Sequence, residues 1–124
     1  MRYISPETFE FDGIVQKYPG CHFEVAEYIG TNNIYIGIID DDGAVARCTV
    51  NIPRSIPNDR IAIKDWSENE GMDFKLKEMK IIEGDPVDCE LSGLVTIDVY
   101  MLGEKGKQLV NEYMNELSKE GVSK

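Results

Sequence analysis

The segment 21–52 reads as β-structure throughout and constrains the fold more than any other part of the chain. Phe23 and Val25, joined by Cys21, alternate with His22, Glu24 and Ala26, which is the two-residue period of a strand with one buried face. Gly30-Thr31-Asn32-Asn33 follows as a turn. Residues 34–39 are then β-branched or aromatic apart from Gly37, a composition suited to a strand buried on at least one face. Asp40-Asp41-Asp42-Gly43 is the strongest hairpin signal in the chain, because Gly beside Asp accepts the positive φ of a tight turn. Beyond it, over 44–52, Ala46, Cys48, Val50 and Ile52 face one way and Arg47, Thr49 and Asn51 the other. Strands joined so closely in sequence pair antiparallel, so an antiparallel meander over 21–52 is predicted.

The flanking segments add two helices and more strands. Phe9, Phe11 and Ile14 surround Asp12-Gly13, predicting a hairpin between strands at 8–12 and 14–17, and Pro19-Gly20 punctuates the chain next. Pro53 and Pro57 bracket a loop, and 60–64 alternates as a short strand. Ser67-Glu68-Asn69-Glu70 has capping-box spacing. It predicts a helix over 68–79 with Met72, Leu76 and Met79 on one face, weakened by Gly71 by about 1 kcal/mol. Residues 83–90, with Gly84 and Pro86, read as an acidic loop, and 94–102 as a strand. Gly103 and Gly106 delay a terminal helix over 104–119, whose Leu109, Val110, Tyr113, Met114 and Leu117 form an apolar stripe. Gly121 stands where a C-terminal cap is expected. No linker rich in Pro, Gly or Ser divides the chain. The 124 residues are therefore expected to form a single α+β domain, an antiparallel sheet (meander) with one middle helix and one C-terminal helix.

Charge is the unusual global property. There are 23 acidic against 13 basic side chains, a net charge of −10, with 10 acids and 6 bases in residues 1–66. Binding to a phosphate backbone needs the opposite field, so direct nucleic-acid binding is not expected. A basic protein partner is the expected charged contact. The N-terminus, Met1-Arg2-Tyr3-Ile4-Ser5-Pro6-Glu7, lacks the apolar core of a signal peptide, and no apolar run approaches the ~20 residues that span a bilayer. A cytoplasmic protein with no membrane segment is expected. Cys21, Cys48 and Cys89 are odd in number and widely spaced, which favours free, mostly buried thiols over a disulfide framework.

Candidates for chemistry are few. His22 is the one histidine, so any Ser-His-Asp or Cys-His arrangement must use it, and no nucleophile-elbow spacing accompanies it. Cys21, His22, Cys48 and Cys89 lack the close pairing of a structural zinc site, and the residues after Gly43 lack the ligands of a calcium loop. No glycine-rich phosphate cradle is present. The reading is therefore no catalytic residues, no metal and no cofactor. The carboxylates Glu83, Asp85, Asp88 and Glu90, with no base between them, are the candidate partner-binding residues. Tyr28, Tyr35 and Trp66 could anchor an interface, although aromatics in strands more often belong to the core.

The stretch Thr49-Val50-Asn51-Ile52-Pro53, then Ile56-Pro57, then Ile63-Lys64-Asp65-Trp66-Ser67-Glu68-Asn69-Glu70-Gly71 resembles the bacterial domain-of-unknown-function family numbered 4313. The strand over 32–40 and Ser92-Gly93 also look similar. The likeness spans roughly residues 9–100, and after Gly93 the chain departs from the aromatic and proline-rich ending of that family. The resemblance implies an accessory protein of plasmids, conjugative elements or phages, and carries over no site residues. Asn51 and Asn69 have a physical reading of their own, since Asn side chains satisfy backbone groups at strand ends and near helix starts. The leading expectation is a non-enzymatic acidic accessory protein that binds a protein partner, including an anti-defence factor with a nucleic-acid-mimicking acidic face. The alternatives are a small-molecule enzyme using His22 with a carboxylate or Cys89, and a structural homo-oligomer built on an exposed edge strand or on the 109–117 stripe.

Overall fold

The alternating segments build an antiparallel α+β fold, seen in a computed structural model that describes residues 1–122, apart from the side chains of Glu68 and of residues 120–122. Its strands are β1 (Tyr3–Ile4), β2 (Phe9–Asp12), β3 (Lys17–Glu27), β4 (Ile34–Asp40), β5 (Gly43–Arg47), β6 (Arg60–Ala62), β7 (Ile82–Ser92) and β8 (Val95–Leu102). Helix α1 (Met72–Glu78) lies in mid-chain and α2 (Glu104–Val122) at the end. One sheet runs β1-β3-β4-β5, with β2 also paired to β3, and a second runs β6-β8-β7. The meander expected over 21–52 is present as β3, β4 and β5, all antiparallel. Its turn is the expected one: Asp40 pairs with Gly43, and the Asp42 amide donates to Asp40 Oδ1 at 2.9 Å.

Among the described residues a single isolated bridge, Thr49 opposite Ile63, joins the two sheets. The Cys48 amide donates to Ile36 O at 3.0 Å on one side of this seam, and the Val50 amide to Ala62 O at 3.1 Å on the other. The strand expected over 44–52 therefore stops at Arg47, and its continuation changes sheets. The core divides accordingly. Alternate residues of β8 point to opposite faces. Tyr100 and Leu102 join the main cluster with Val25, Ile36, Leu76 and Leu109, while Ile97 and Val99 join Ile52, Ile56 and Ala62 in a smaller one. Each fully buried Ile or Leu contributes about 1.5–3 kcal/mol; the main cluster contains several, and the smaller one has Ile52.

Four local expectations are corrected. The chain after Asp12-Gly13 does not re-enter a strand at residue 14. Asp12 pairs with Lys17, and β3 then runs straight through Pro19-Gly20, where Gly20 at φ 65° lies within the register shift against β2. The capping box at Ser67 is not made. Residues Ser67–Asn69 form a single 3₁₀ turn in which the Glu70 amide reaches the Ser67 carbonyl, and α1 starts only after Gly71, held at φ 83°. A left-handed residue ends one helical turn before the next can begin. The acidic loop is in fact most of β7. Finally, α2 runs through Gly121 to Val122, since one glycine weakens a helix without ending it.

Gly106 has a role different from delaying α2. The first amides of this helix have no acceptors within it. They are met by the turn that follows α1, with Gly103 N–H donating to Ile81 O at 2.8 Å, Lys105 N–H to Lys80 O at 2.9 Å and Gly106 N–H to Lys80 O at 3.2 Å. A Cβ at Gly106 would stand 2.2 Å from Ile81 O. Glycine here permits two backbones to touch.

Candidate functional site

The four acidic residues singled out from the sequence are placed on an edge strand. β7 pairs only with β8, and residues 84–87 bulge out of register opposite Tyr100. Pro86 and Gly84, at φ 73°, fit because a bulged edge asks for no ladder bond from them. Polar residues on both faces gave this strand no apolar period to read. Acids, a proline and a bulge are also how an edge strand resists pairing with another chain.

The cluster is split in two. Asp88 and Glu90 hold Arg54, with Nη2 to Asp88 Oδ2 at 2.9 Å and Nε to Glu90 Oε1 at 2.9 Å. The Cys89 amide and Arg54 hold the Asp88 carboxyl below the usual carboxylate range. Sequence reading missed Arg54 because it approaches from the proline loop, 34 residues away from Asp88. Its position is set by Asn33, whose Nδ2 donates to Arg54 O at 2.8 Å while Oδ1 accepts from the Ile56 amide at 2.8 Å. At the other end of β7, Glu83 meets α2. It borders a concavity of about 470 Å³ together with Glu104, Lys107 and Glu112. Glu112 also accepts from the Tyr3 hydroxyl and from Gln108 Nε2. Burial, then Glu112, pushes the Tyr3 phenol up to about 12. Asp85 is exposed between the two groups.

His22 does not line any of four concavities on the surface. Its Nδ1 lies 2.8 Å from the Ser5 carbonyl oxygen, a backbone contact that fastens the N-terminal segment to β3. The apolar stripe of α2 is not available for self-association, since Leu109, Val110 and Tyr113 are buried in this chain's own core. Tyr28 and Tyr35 meet edge to face at 5.6 Å, and Trp66 packs on the smaller cluster. Asn69 donates to the Arg47 carbonyl, the backbone role expected of it, whereas Asn51 Oδ1 accepts from the side chains of Thr31 and Asn33.

The structure also gathers groups that no motif announced. Asp65 Oδ1 accepts from the Asp73 amide at 3.4 Å, and the Tyr100 hydroxyl donates to Asp73 Oδ2 at 3.2 Å. Burial, then the charge of Asp73, raises the Asp65 pKa, and burial, then Asp73, pushes Tyr100 up to about 12. Neither carboxylate lines any of these four concavities. Among the described residues no group of three or more His, Cys, Asp or Glu could hold a metal ion. No helix among them is long and apolar enough to cross a membrane.

A concavity of about 720 Å³ runs along the unpaired edge of β5 between the β2–β3 turn and α1. Arg47, Lys64 and Lys75 line it, among Phe11, Tyr18 and Tyr35. The segments that form it are far apart in sequence and carry no shared motif.

No family model, curated protein or solved structure matches this chain.

The thiols offer a direct check on the burial pattern. Cys21 and Cys48 are fully buried and Cys89 is exposed on β7. Burial pushes the Cys48 thiol up to about 12 and raises that of Cys21. Since the thiolate is the reactive form, one thiol per chain should react with Ellman's reagent before unfolding and three after it. Two fast thiols in the folded protein would contradict this packing.

Proposed function

We propose that this chain is a non-enzymatic binding module that meets a basic protein surface through the acidic face shared by β7 and α2. The supporting observation is the convergence of Glu83, Glu104 and Glu112 on one concavity in a chain of net charge −10. Three carboxylates against the single cation Lys107 leave this open concavity net negative, and such a field speeds the approach of a cation-rich partner. Asp88 and Glu90 contribute less, because Arg54 pairs with both and offsets one of their two charges within the chain. The resemblance in residues 49–71 supports an accessory role on a mobile element or phage. In that setting the acidic face would stand in for a nucleic-acid backbone before a basic, nucleic-acid-binding partner, within a cytoplasm.

The test is capture of partners from the native host at about 0.05 and 0.5 M salt, a range over which screening becomes severe. Association with the captured partner should weaken as salt rises. It should slow several-fold in the double variant Glu83→Gln/Glu104→Gln and change little in Asp88→Asn/Glu90→Gln. A partner held equally at both salt concentrations, or one insensitive to the Glu83/Glu104 pair, would overturn the reading.

A further inference from the structure

The cleft along β5 differs in charge from the rest of the molecule. The chain has 23 acids and 13 bases, yet among the described residues that line this cleft there are three cations and no carboxylate. Its 720 Å³ lies within the 300–1,000 Å³ of small-molecule sites. It shares no lining residue with the acidic concavity of α2, so a ligand bound here is independent of the proposed function.

Two of the cations have distinct situations. Lys75 is fixed to the wall, its Nζ donating to Asp12 O at 2.6 Å and lying 5.0 Å from the centre of the Phe11 ring. Arg47 has no carboxylate partner among the described residues, although its backbone is pinned by Asn69 and by pairing with Gly37. A positioned main chain with an uncommitted guanidinium suits recognition of an anion, because the planar fork can donate two parallel bonds. The walls supply the opposite chemistry. Tyr35 lies across Gly37, where a Cβ would meet its hydroxyl at 2.3 Å, so glycine lets this ring cover the strand beside Arg47. Tyr18 and Phe11 line the same cleft, and Ile14 and Val15, 62% and 91% exposed, stand at its rim. The net negative charge does not forbid an anion here. Exposed charges beyond about 8–10 Å are largely screened at physiological salt, while groups in contact are not.

We infer that this cleft binds a small organic anion, one negatively charged group on a flat apolar body, with Arg47 receiving the charge and the aromatic wall covering the body. The experiment titrates the whole chain with anilinonaphthalene sulfonate, which has this chemistry, and with phenylnaphthylamine, its uncharged counterpart. Inorganic phosphate serves as a competitor that carries charge alone. The expected result is one saturable sulfonate site per chain, with the uncharged compound bound about tenfold more weakly and phosphate competing poorly. Arg47→Gln should weaken the sulfonate about tenfold, the loss of one charge-assisted contact, and leave the uncharged compound unchanged. Arg47 is exposed, so this variant should fold; amide chemical shifts confirm folding and locate the ligand near residues 11–18 and 44–47. Equal binding of both compounds, indifference to Arg47→Gln, or shifts confined to α2 and β7 would overturn the inference. So would preferential binding of an acidic peptide that adds to the β5 edge, which would assign the cleft to a strand partner.

Discussion

Replacing Gly106 by Ala lowers the stability of the fold by about 3 kcal/mol, the upper range for overpacking, whereas helix propensity alone would raise it by about 1 kcal/mol. The sign is decided by one contact. The added Cβ would lie 2.2 Å from Ile81 O and 3.0 Å from a Leu102 methyl. The carbonyl is backbone and cannot turn aside, so α2 must retreat. Retreat lengthens the bonds from Gly103, Lys105 and Gly106 to Lys80 and Ile81, and three helix-terminal amides lose partners in a buried place. Thermal unfolding should move down by about 10 °C for a domain of this size. Gly71→Ala is the control. Its φ of 83° disfavours a side chain, but nothing lies within 4 Å, so about 1 kcal/mol is expected. A Gly106→Ala protein as stable as the parent would mean that the start of α2 does not meet the turn after α1 as described.

Asn33→Ala is expected to destabilise by a similar amount, about 3 kcal/mol, through a different cause. Asn33 is 3% exposed, and its amide is read correctly on both sides: Oδ1 must face the Ile56 N–H and Nδ2 the Arg54 carbonyl. Removing it strands one donor and one acceptor, each costing about 1–3 kcal/mol when left buried and unmet. Asn33→Asp should recover only part of the loss, since it keeps the acceptor for Ile56 but presents oxygen to Arg54 O and Asn51 Oδ1. Chemical denaturation measures the total. Hydrogen exchange at Ile56 and its neighbours should accelerate most, because the proline loop is released first. Unchanged protection there in Asn33→Ala would refute the tie.

These two residues mark where the sequence stops being readable. The β3–β4–β5 meander was legible because each strand buries one face, and burial writes a period of two into the residues. The Asp40–Gly43 turn was legible because its backbone geometry is local. β7 has polar residues on both faces, so no period betrays it, and Gly84 and Pro86 imitate a loop. Ser67 to Glu70 had the spacing of a cap, but the positive φ of Gly71 lies outside that pattern and overrides it. Asn33 looked like an ordinary turn residue, since its partners lie more than twenty positions away. The candidate cleft was illegible for the same reason: four separate segments supply it, and only the fold brings Arg47 and Lys75 to one cleft. Within the acidic run, the sequence supplied the charges but not the distinction between Glu83, which faces α2, and Asp88, which faces Arg54.

The one-bridge seam between the sheets has a mechanical consequence. Thr49 opposite Ile63 is the backbone bridge between the sheets, side chains of both sheets share the main core, and α2 touches β1 and β3 on one panel and β7 and β8 on the other. The terminal helix thus acts as a brace laid across a joint. Loosening it should let the panels flex against each other before either comes apart, and the acidic face that α2 carries would change shape with that flexing.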